Sequence, residues 1–139
     1  MKNITIHCSA GMAGTQEIRN MHKAKGWSDI GYHYVIERDG RIEQGRPLTR
    51  TGAHVKGYNS DNLGICLVGG RDFCDFTADQ WLSLRGLVIK LTTAFGIHLD
   101  SVCGHRDWPN VKKACPRFSV TDWLNNDMFP TDEMFPIKA

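Results

Sequence analysis

The chain has 139 residues, of which 41% are hydrophobic and 23% are charged. This length fits one domain, and the composition is that of a folded globular chain rather than a disordered one. The formal net charge of +2 is too small to indicate a nucleic-acid partner. There is no N-terminal apolar run of signal-peptide length and no segment long enough to span a bilayer, so we expect no signal peptide and no membrane insertion.

Strands are predicted first from alternation of apolar and polar residues. Residues 3–8 form a strand that places Ile4, Ile6 and Cys8 on one face and His7 on the other. A short helix over 15–25 ends at Gly26. The next strand, 32–38, is joined to a return strand at 41–45 through Asp39-Gly40, a strong hairpin signal.

The second half of the chain alternates strands and helices. A glycine-containing loop over 46–62 precedes the apolar run 63–68, which suits a buried central strand. The remaining predicted elements are a capped helix over about 77–95, a short strand at 101–103, a helix at about 119–126, and a C-terminal tail over 127–139 that we expect to be poorly ordered. The order predicts one α/β domain over 1–126 with a mixed sheet.

Cysteine and histidine carry the chemical information. The five cysteines are odd in number and show no closely spaced pairs, which argues against a disulfide framework and for a reducing compartment. His7, His105 and Cys115 would supply three nitrogen or sulfur ligands with one open position, as catalytic zinc sites do. Their spacing alone is weak evidence, because each histidine can be an ordinary hydrogen-bonding residue and Cys115 a small buried apolar group.

Four stretches make the sequence resemble a known family. They are the opening strand that ends near His7, residues 26–36 (GWSDIGYHYVI), residues 52–70 with GAH, GYN and LGICLVGG, and finally GHRD at 104–107 with KACP at 113–116. Together they resemble the N-acetylmuramoyl-L-alanine amidases that share a fold with peptidoglycan recognition proteins, and most of all the small phage endolysins. One departure is Asn62, where many members have serine.

The resemblance implies a mixed sheet flanked by about three helices, with a zinc cleft on one face. It implies one zinc ion held by His7, His105 and Cys115, with Tyr32 and Lys113 as catalytic side chains and His33 and His54 lining the substrate cleft. Strand alternation would put Tyr32 with Tyr34 and Ile36, and His33 on the opposite side, without deciding which side faces the cleft.

The implied activity is hydrolysis of the amide between N-acetylmuramic acid and L-alanine in bacterial peptidoglycan, during lysis of a phage-infected host. The enzyme would then lie in the host cytoplasm and reach the wall after membrane permeabilisation. We expect a monomer, and a contact with phage RNA polymerase is left undecided.

Three alternatives remain at this point. The first is a peptidoglycan-binding module without activity, although such relatives typically lack the cysteine ligand. The second is a nucleophilic Cys115 with His105 as its base. The third is a cytoplasmic amidase that recycles wall fragments.

Overall fold

A computed structural model describes residues 1–136 of the chain. The eight regular elements are β1 (Asn3–Cys8), α1 (Thr15–Ala24), β2 (Tyr34–Ile36), β3 (Ile42–Gln44), β4 (Asn62–Leu67), α2 (Ala78–Phe95), β5 (Val102–Gly104) and α3 (Val120–Asn125). Two short 3-10 helices, Leu99–Ser101 and His105–Asp107, flank β5.

The strands form one sheet in the order β3-β2-β4-β1-β5. β2 and β3 pair antiparallel, as the Asp39-Gly40 turn predicts, and the other pairings are parallel. The predicted mixed α/β domain is therefore confirmed. β4 lies at the centre with every residue buried, in agreement with its apolar sequence.

The two faces of the sheet carry separate apolar clusters. Ile4, Ile6 and Cys8 of β1 face the larger cluster, which includes Trp81 and Leu84 of α2. The smaller cluster lies on the opposite face and joins Ile18 of α1 to Val35 and Cys66 of the sheet. Since His7 pairs in register with Cys66 and alternates with Ile6, it points toward the side of α1, as the period of β1 predicts.

The longest helix has the ends that its sequence predicts. Thr77 caps α2 by accepting a hydrogen bond from the Gln80 amide, and the Thr77 amide donates to the side-chain oxygen of Gln80. Gly96 ends the helix in a left-handed conformation, with φ of 63°. No helix within residues 1–136 combines the length and apolar character that a bilayer crossing requires.

The strand predicted over 32–38 is regular only from Tyr34 to Ile36. Tyr32 and His33 still form backbone hydrogen bonds, to Arg46 and Gly45, but they lie outside the regular pleat. Alternation therefore fails at this end. Tyr34 and Ile36 pack on the larger cluster, whereas Tyr32 packs on the smaller one with Val35, so the predicted grouping of Tyr32 with Tyr34 and Ile36 is wrong.

The C-terminal segment is attached to the domain for part of its length. Met134 is buried in the larger apolar cluster, and the thiol of Cys74 donates a hydrogen bond to its carbonyl at 3.4 Å. The division of the chain at residue 126 stays a prediction. Residues 137–139 of the expected tail lie outside the described residues.

Candidate metal centre and cleft

Three side chains that are distant in the sequence meet near the C-terminal ends of β1 and β5. His7 lies near the end of β1, His105 directly follows β5, and Cys115 belongs to the loop beyond it. β1 and β5 are parallel neighbours, so both histidines emerge at the same end of the sheet. The potential ligand atoms of His7, His105 and Cys115 all lie within 4.8 Å of one another.

The donor set fits a zinc ion. Two imidazoles and one thiol leave a fourth tetrahedral position for water or substrate, as in catalytic zinc sites. Burial and nearby cationic groups hold the pKa of His7 well below its ordinary value, so its ring is neutral and keeps a lone pair. Burial likewise lowers the pKa of His105.

The surroundings of Cys115 favour a ligand over a free nucleophile. Its Sγ accepts a hydrogen bond from the Cys8 amide at 3.0 Å. The hydrogen bond with the Cys8 thiol, followed by burial, raises the pKa of the Cys115 thiol. A nucleophilic cysteine requires the opposite shift, whereas metal binding can displace the proton from a thiol. The arrangement therefore gives no support to a Cys115–His105 nucleophile pair.

One ring nitrogen of His7 is already engaged. Its Nε2 lies 2.9 Å from Nδ1 of His54, and Nε2 of His54 lies 2.8 Å from the carbonyl oxygen of Asn62. The ring of His54 packs directly against β4 at Gly64, where an added Cβ would come within 2.8 Å of the ring. Glycine at position 64 is therefore what allows His54 to approach His7.

Two adjoining cavities form a cleft over the cluster. Their volumes are about 490 Å³ and about 1100 Å³. Both are lined by a shared group of residues at their junction, namely His22, Lys25, Tyr32, His105 and Lys113. Arg117 adds a positive charge to the smaller cavity, and Lys56 and Lys112 add two to the larger one. The lining residues that the structure describes include no aspartate or glutamate, so the walls are cationic.

The predicted catalytic side chains lie at this junction. The ring of Tyr32 is 5.0 Å from that of His7, centroid to centroid. Burial, the largest cause, raises the pKa of Tyr32 well above its usual range, so its phenol stays protonated at neutral pH. Lys113 is two residues before Cys115 and lines both cavities.

The two other predicted histidines occupy different positions. His54 lines the larger cavity. His33 is 1% exposed and does not line either cavity. Its Nδ1 accepts the Gly64 amide at 3.1 Å, and its Nε2 donates to the Arg50 carbonyl at 2.8 Å. Because both ring nitrogens are used by the backbone, direct substrate contact by His33 does not follow from its position.

Sequence reasoning missed His22. Its Nδ1 accepts the Gly31 amide at 2.9 Å, which leaves the proton of the neutral ring on Nε2, and the residue lines both cavities. The signal was present, because His22 lies four residues after Ile18, on the helix face that packs against the sheet.

A series of hydrogen bonds and an aromatic pair connect the loop after β5 with the loop that precedes β4. Trp108, three residues after His105, stacks on Tyr58 with ring centroids 4.8 Å apart. The indole N–H of Trp108 donates to the Thr5 hydroxyl, which donates in turn to the side-chain oxygen of Asn62. Asn62 then donates to the Tyr58 carbonyl at 2.8 Å, so the series of contacts begins and ends at Tyr58.

The fold and the cluster define a class of protein, an α/β domain with a histidine–histidine–cysteine centre beneath an open cleft. The family model described as N-acetylmuramoyl-L-alanine amidase matches residues 1–118. The chain belongs to the N-acetylmuramoyl-L-alanine amidase family and is an enzyme of that activity. The resemblance inferred from the sequence is therefore confirmed.

Individual relatives agree with this assignment. The endolysins of Klebsiella phage KP32 and Escherichia phage T7 are each 40% identical to the chain, over 94% of its length and 89% of theirs. The solved structure of the N-acetylmuramoyl-L-alanine amidase LysC from Clostridium intestinale superposes with a TM-score of 0.77 at 30% identity, covering 89% of this chain and 85% of that one. Peptidoglycan recognition protein LE, solved with tracheal cytotoxin, gives a TM-score of 0.75 at 25% identity, covering 93% and 82%.

Proposed function

We propose that the chain is a zinc-dependent amidase that cleaves the bond between the lactyl carbonyl of N-acetylmuramic acid and L-alanine in bacterial peptidoglycan. The observation that carries the proposal is the cluster of His7, His105 and Cys115 beneath a cleft that also presents Tyr32 and Lys113. The substrate class is that of the family, and the zinc dependence rests on the donor set.

The proposed chemistry divides between metal and protein. A zinc ion at this centre would supply a water of lowered pKa and polarise the scissile carbonyl. The ammonium group of Lys113 would stabilise negative charge on the carbonyl oxygen as the amide is attacked, an interaction worth about 3–4 kcal/mol in other enzymes. The neutral phenol of Tyr32 would donate a proton or a hydrogen bond at the reacting centre.

The charge of the cleft agrees with this substrate. Stem peptides carry carboxylates, and the described walls offer Lys25, Lys56 and Lys112 without an opposing acidic group. The complementary charges would favour encounter and orient the peptide. We propose that the larger cavity receives the stem peptide, since it carries the greater number of these lysines.

Mass spectrometry of digested peptidoglycan tests the reaction. We expect free stem peptides that begin at L-alanine, with intact glycan strands. Activity should disappear after chelation and return with added zinc, and a Cys115→Ser variant should retain wall binding without cleavage. Undiminished cleavage by rigorously metal-free protein would contradict the zinc dependence, and cleaved glycan strands would contradict the bond assignment.

We also propose that the enzyme serves as a phage endolysin, acting as a monomer from the cytoplasm of an infected bacterium once the membrane is permeabilised. Support comes from the two phage endolysins at 40% identity. Turbidity of bacteria that express the protein should fall only after the membrane is permeabilised. A fall without permeabilisation, or none after it, would contradict this role.

A further inference from the structure

His54 makes two hydrogen bonds whose directions can be deduced. A carbonyl oxygen can only accept, so the bond to the Asn62 carbonyl at 2.8 Å requires a proton on Nε2 of His54. A neutral imidazole carries a single N–H, which makes Nδ1 of His54 an acceptor. The contact of 2.9 Å between this Nδ1 and Nε2 of His7 is therefore a hydrogen bond donated by His7.

We propose that His54 is a positioning residue for the metal centre: by accepting the Nε2–H of His7 it fixes the tautomer of that ring and leaves Nδ1 as the nitrogen that binds the metal. Metal-binding histidines generally donate their other N–H to an acceptor that orients the ring. In this chain the acceptor is a second histidine, which is itself oriented by a backbone carbonyl. The proposal rests on the zinc dependence proposed above.

A charged His54 would reverse the arrangement, because a proton on Nδ1 would then point at Nε2 of His7. Burial of the side chain opposes that state. Only 8% of the residue is exposed, so an imidazolium there would lose most of its hydration. Burial and the bond to the Asn62 carbonyl therefore favour the neutral form, with Nδ1 as acceptor.

The accepting ring is held in place from several directions. The side chain of Asn62 accepts from Thr5 and donates to the Tyr58 carbonyl, which fixes the residue whose carbonyl binds His54. The amide of His54 donates to the side-chain oxygen of Asn59 at 2.8 Å. The ring also packs against Gly64, which limits its movement on that side.

The consequence concerns metal affinity. Without an acceptor at Nε2, the proton of His7 can occupy Nδ1 and block the ligand atom. Loss of such supporting partners costs roughly 10–100-fold in metal affinity in other sites. We expect a loss of this size when His54 is replaced by a side chain that cannot accept.

The test compares zinc dissociation constants, measured by competition with a chromophoric chelator, for the wild type and three variants. His54→Phe removes the acceptor and should weaken zinc binding by about 10–100-fold. His54→Asn places a side-chain carbonyl oxygen near the present position of Nδ1 and should bind zinc more tightly than His54→Phe. Gln80→Leu is the control, because it removes a fully buried polar side chain that donates to the Ile36 and Val68 carbonyls and has no hydrogen bond to His7 or His54. It should change zinc affinity by less than about three-fold even where the melting temperature falls.

Two results would overturn the inference: a His54→Phe variant that binds zinc within about three-fold of the wild type, or equal losses in His54→Phe and Gln80→Leu. If the wild type itself binds no zinc, the proposed function fails instead. Nitrogen-15 NMR of the zinc-loaded wild type provides a measurement that needs no variant. It should show the proton of His7 on Nε2, and a proton on Nδ1 would refute the assignment.

Discussion

The indole N–H of Trp108 donates to the hydroxyl of Thr5 at 2.9 Å. Thr5 lies two residues before His7 on β1, and Trp108 lies three residues after His105 on the neighbouring loop. One hydrogen bond therefore connects the two chain segments that carry His7 and His105. Through Asn62 the same chain of bonds reaches the loop that carries His54.

Substitutions at Thr5 and Trp108 should show how much each of these hydrogen bonds contributes to the free energy of unfolding. Trp108→Phe removes one donor and keeps an aromatic ring against Tyr58, and we expect it to lower the free energy of unfolding by about 1 kcal/mol. Thr5→Val keeps the shape but leaves the half-buried indole N–H of Trp108 and the buried side-chain oxygen of Asn62 unpaired, so we expect about 2–3 kcal/mol. Urea unfolding monitored by circular dichroism measures both, and a smaller effect for Thr5→Val would contradict the proposed linkage.

Tyr32→Phe should reduce catalysis without weakening the metal site. The ring can still pack against His7, while the hydroxyl that we propose as the donor at the reacting centre is lost. General acid–base groups contribute about 10²–10⁴-fold, so kcat should fall at least about 100-fold. The zinc dissociation constant should stay at the wild-type value. Parallel loss of zinc would show that the hydroxyl acts through the metal site instead.

Adjacent lysines provide a matched pair. Lys113 lines both cavities and Lys112 only the larger one. Lys113→Gln should lower kcat by about 100-fold or more, because it removes the charge that we propose stabilises the developing oxyanion. Lys112→Gln should mainly raise KM, because its charge acts on substrate binding. Steady-state kinetics on a soluble muropeptide distinguish the two, and equal effects on kcat would refute the assigned roles.

His33 should make stability depend on pH. Burial, the largest cause, lowers its pKa below the ordinary value of about 6.5. As the pH is lowered below about 6.5, the unfolded chain therefore takes up a proton that the folded chain does not. The free energy of unfolding then decreases with decreasing pH until the lowered folded-state pKa is reached. One such group contributes a slope of up to about 1.4 kcal/mol per pH unit.

The His33→Gln variant provides the measurement. Glutamine can accept from Gly64 and donate to the Arg50 carbonyl without titrating. In zinc-free protein, the plot of unfolding free energy against pH should become less steep below pH 6.5 by about one proton. An unchanged slope would show that His33 is not protonated differently in the two states.

Much of the fold could be predicted because its signals are local. Alternation in β1, the Asp39-Gly40 turn and the capping box at Thr77 each act within a few residues, and the structure places the corresponding elements within about two residues of expectation. The meeting of His7 with Cys115 joins residues about a hundred positions apart, and it was expected from the family resemblance rather than from spacing. The strand order was not predicted, because it depends on pairings between distant segments.

The remaining errors have physical causes. Tyr32 was grouped with Tyr34 because strict alternation was assumed, whereas the regular pleat begins only at Tyr34. His22 was overlooked although its spacing from Ile18 places it on the helix face toward the sheet; its hydrogen bond with the Gly31 amide has no signal in the sequence. The bond from His7 to His54 joins side chains on separate elements, and no periodicity in the sequence indicates it.

The close approach of His54 to Gly64 makes these two positions interdependent. A methyl group at 64 would occupy space that the imidazole now fills, so Gly64→Ala should displace the ring although it leaves every polar atom of the network in the chain. In a combinatorial library that varies both positions, the sizes of the residues at 54 and 64 should covary among the functional clones. Larger residues at 64 should survive selection only beside smaller ones at 54, and those clones should hold zinc less tightly than the parent.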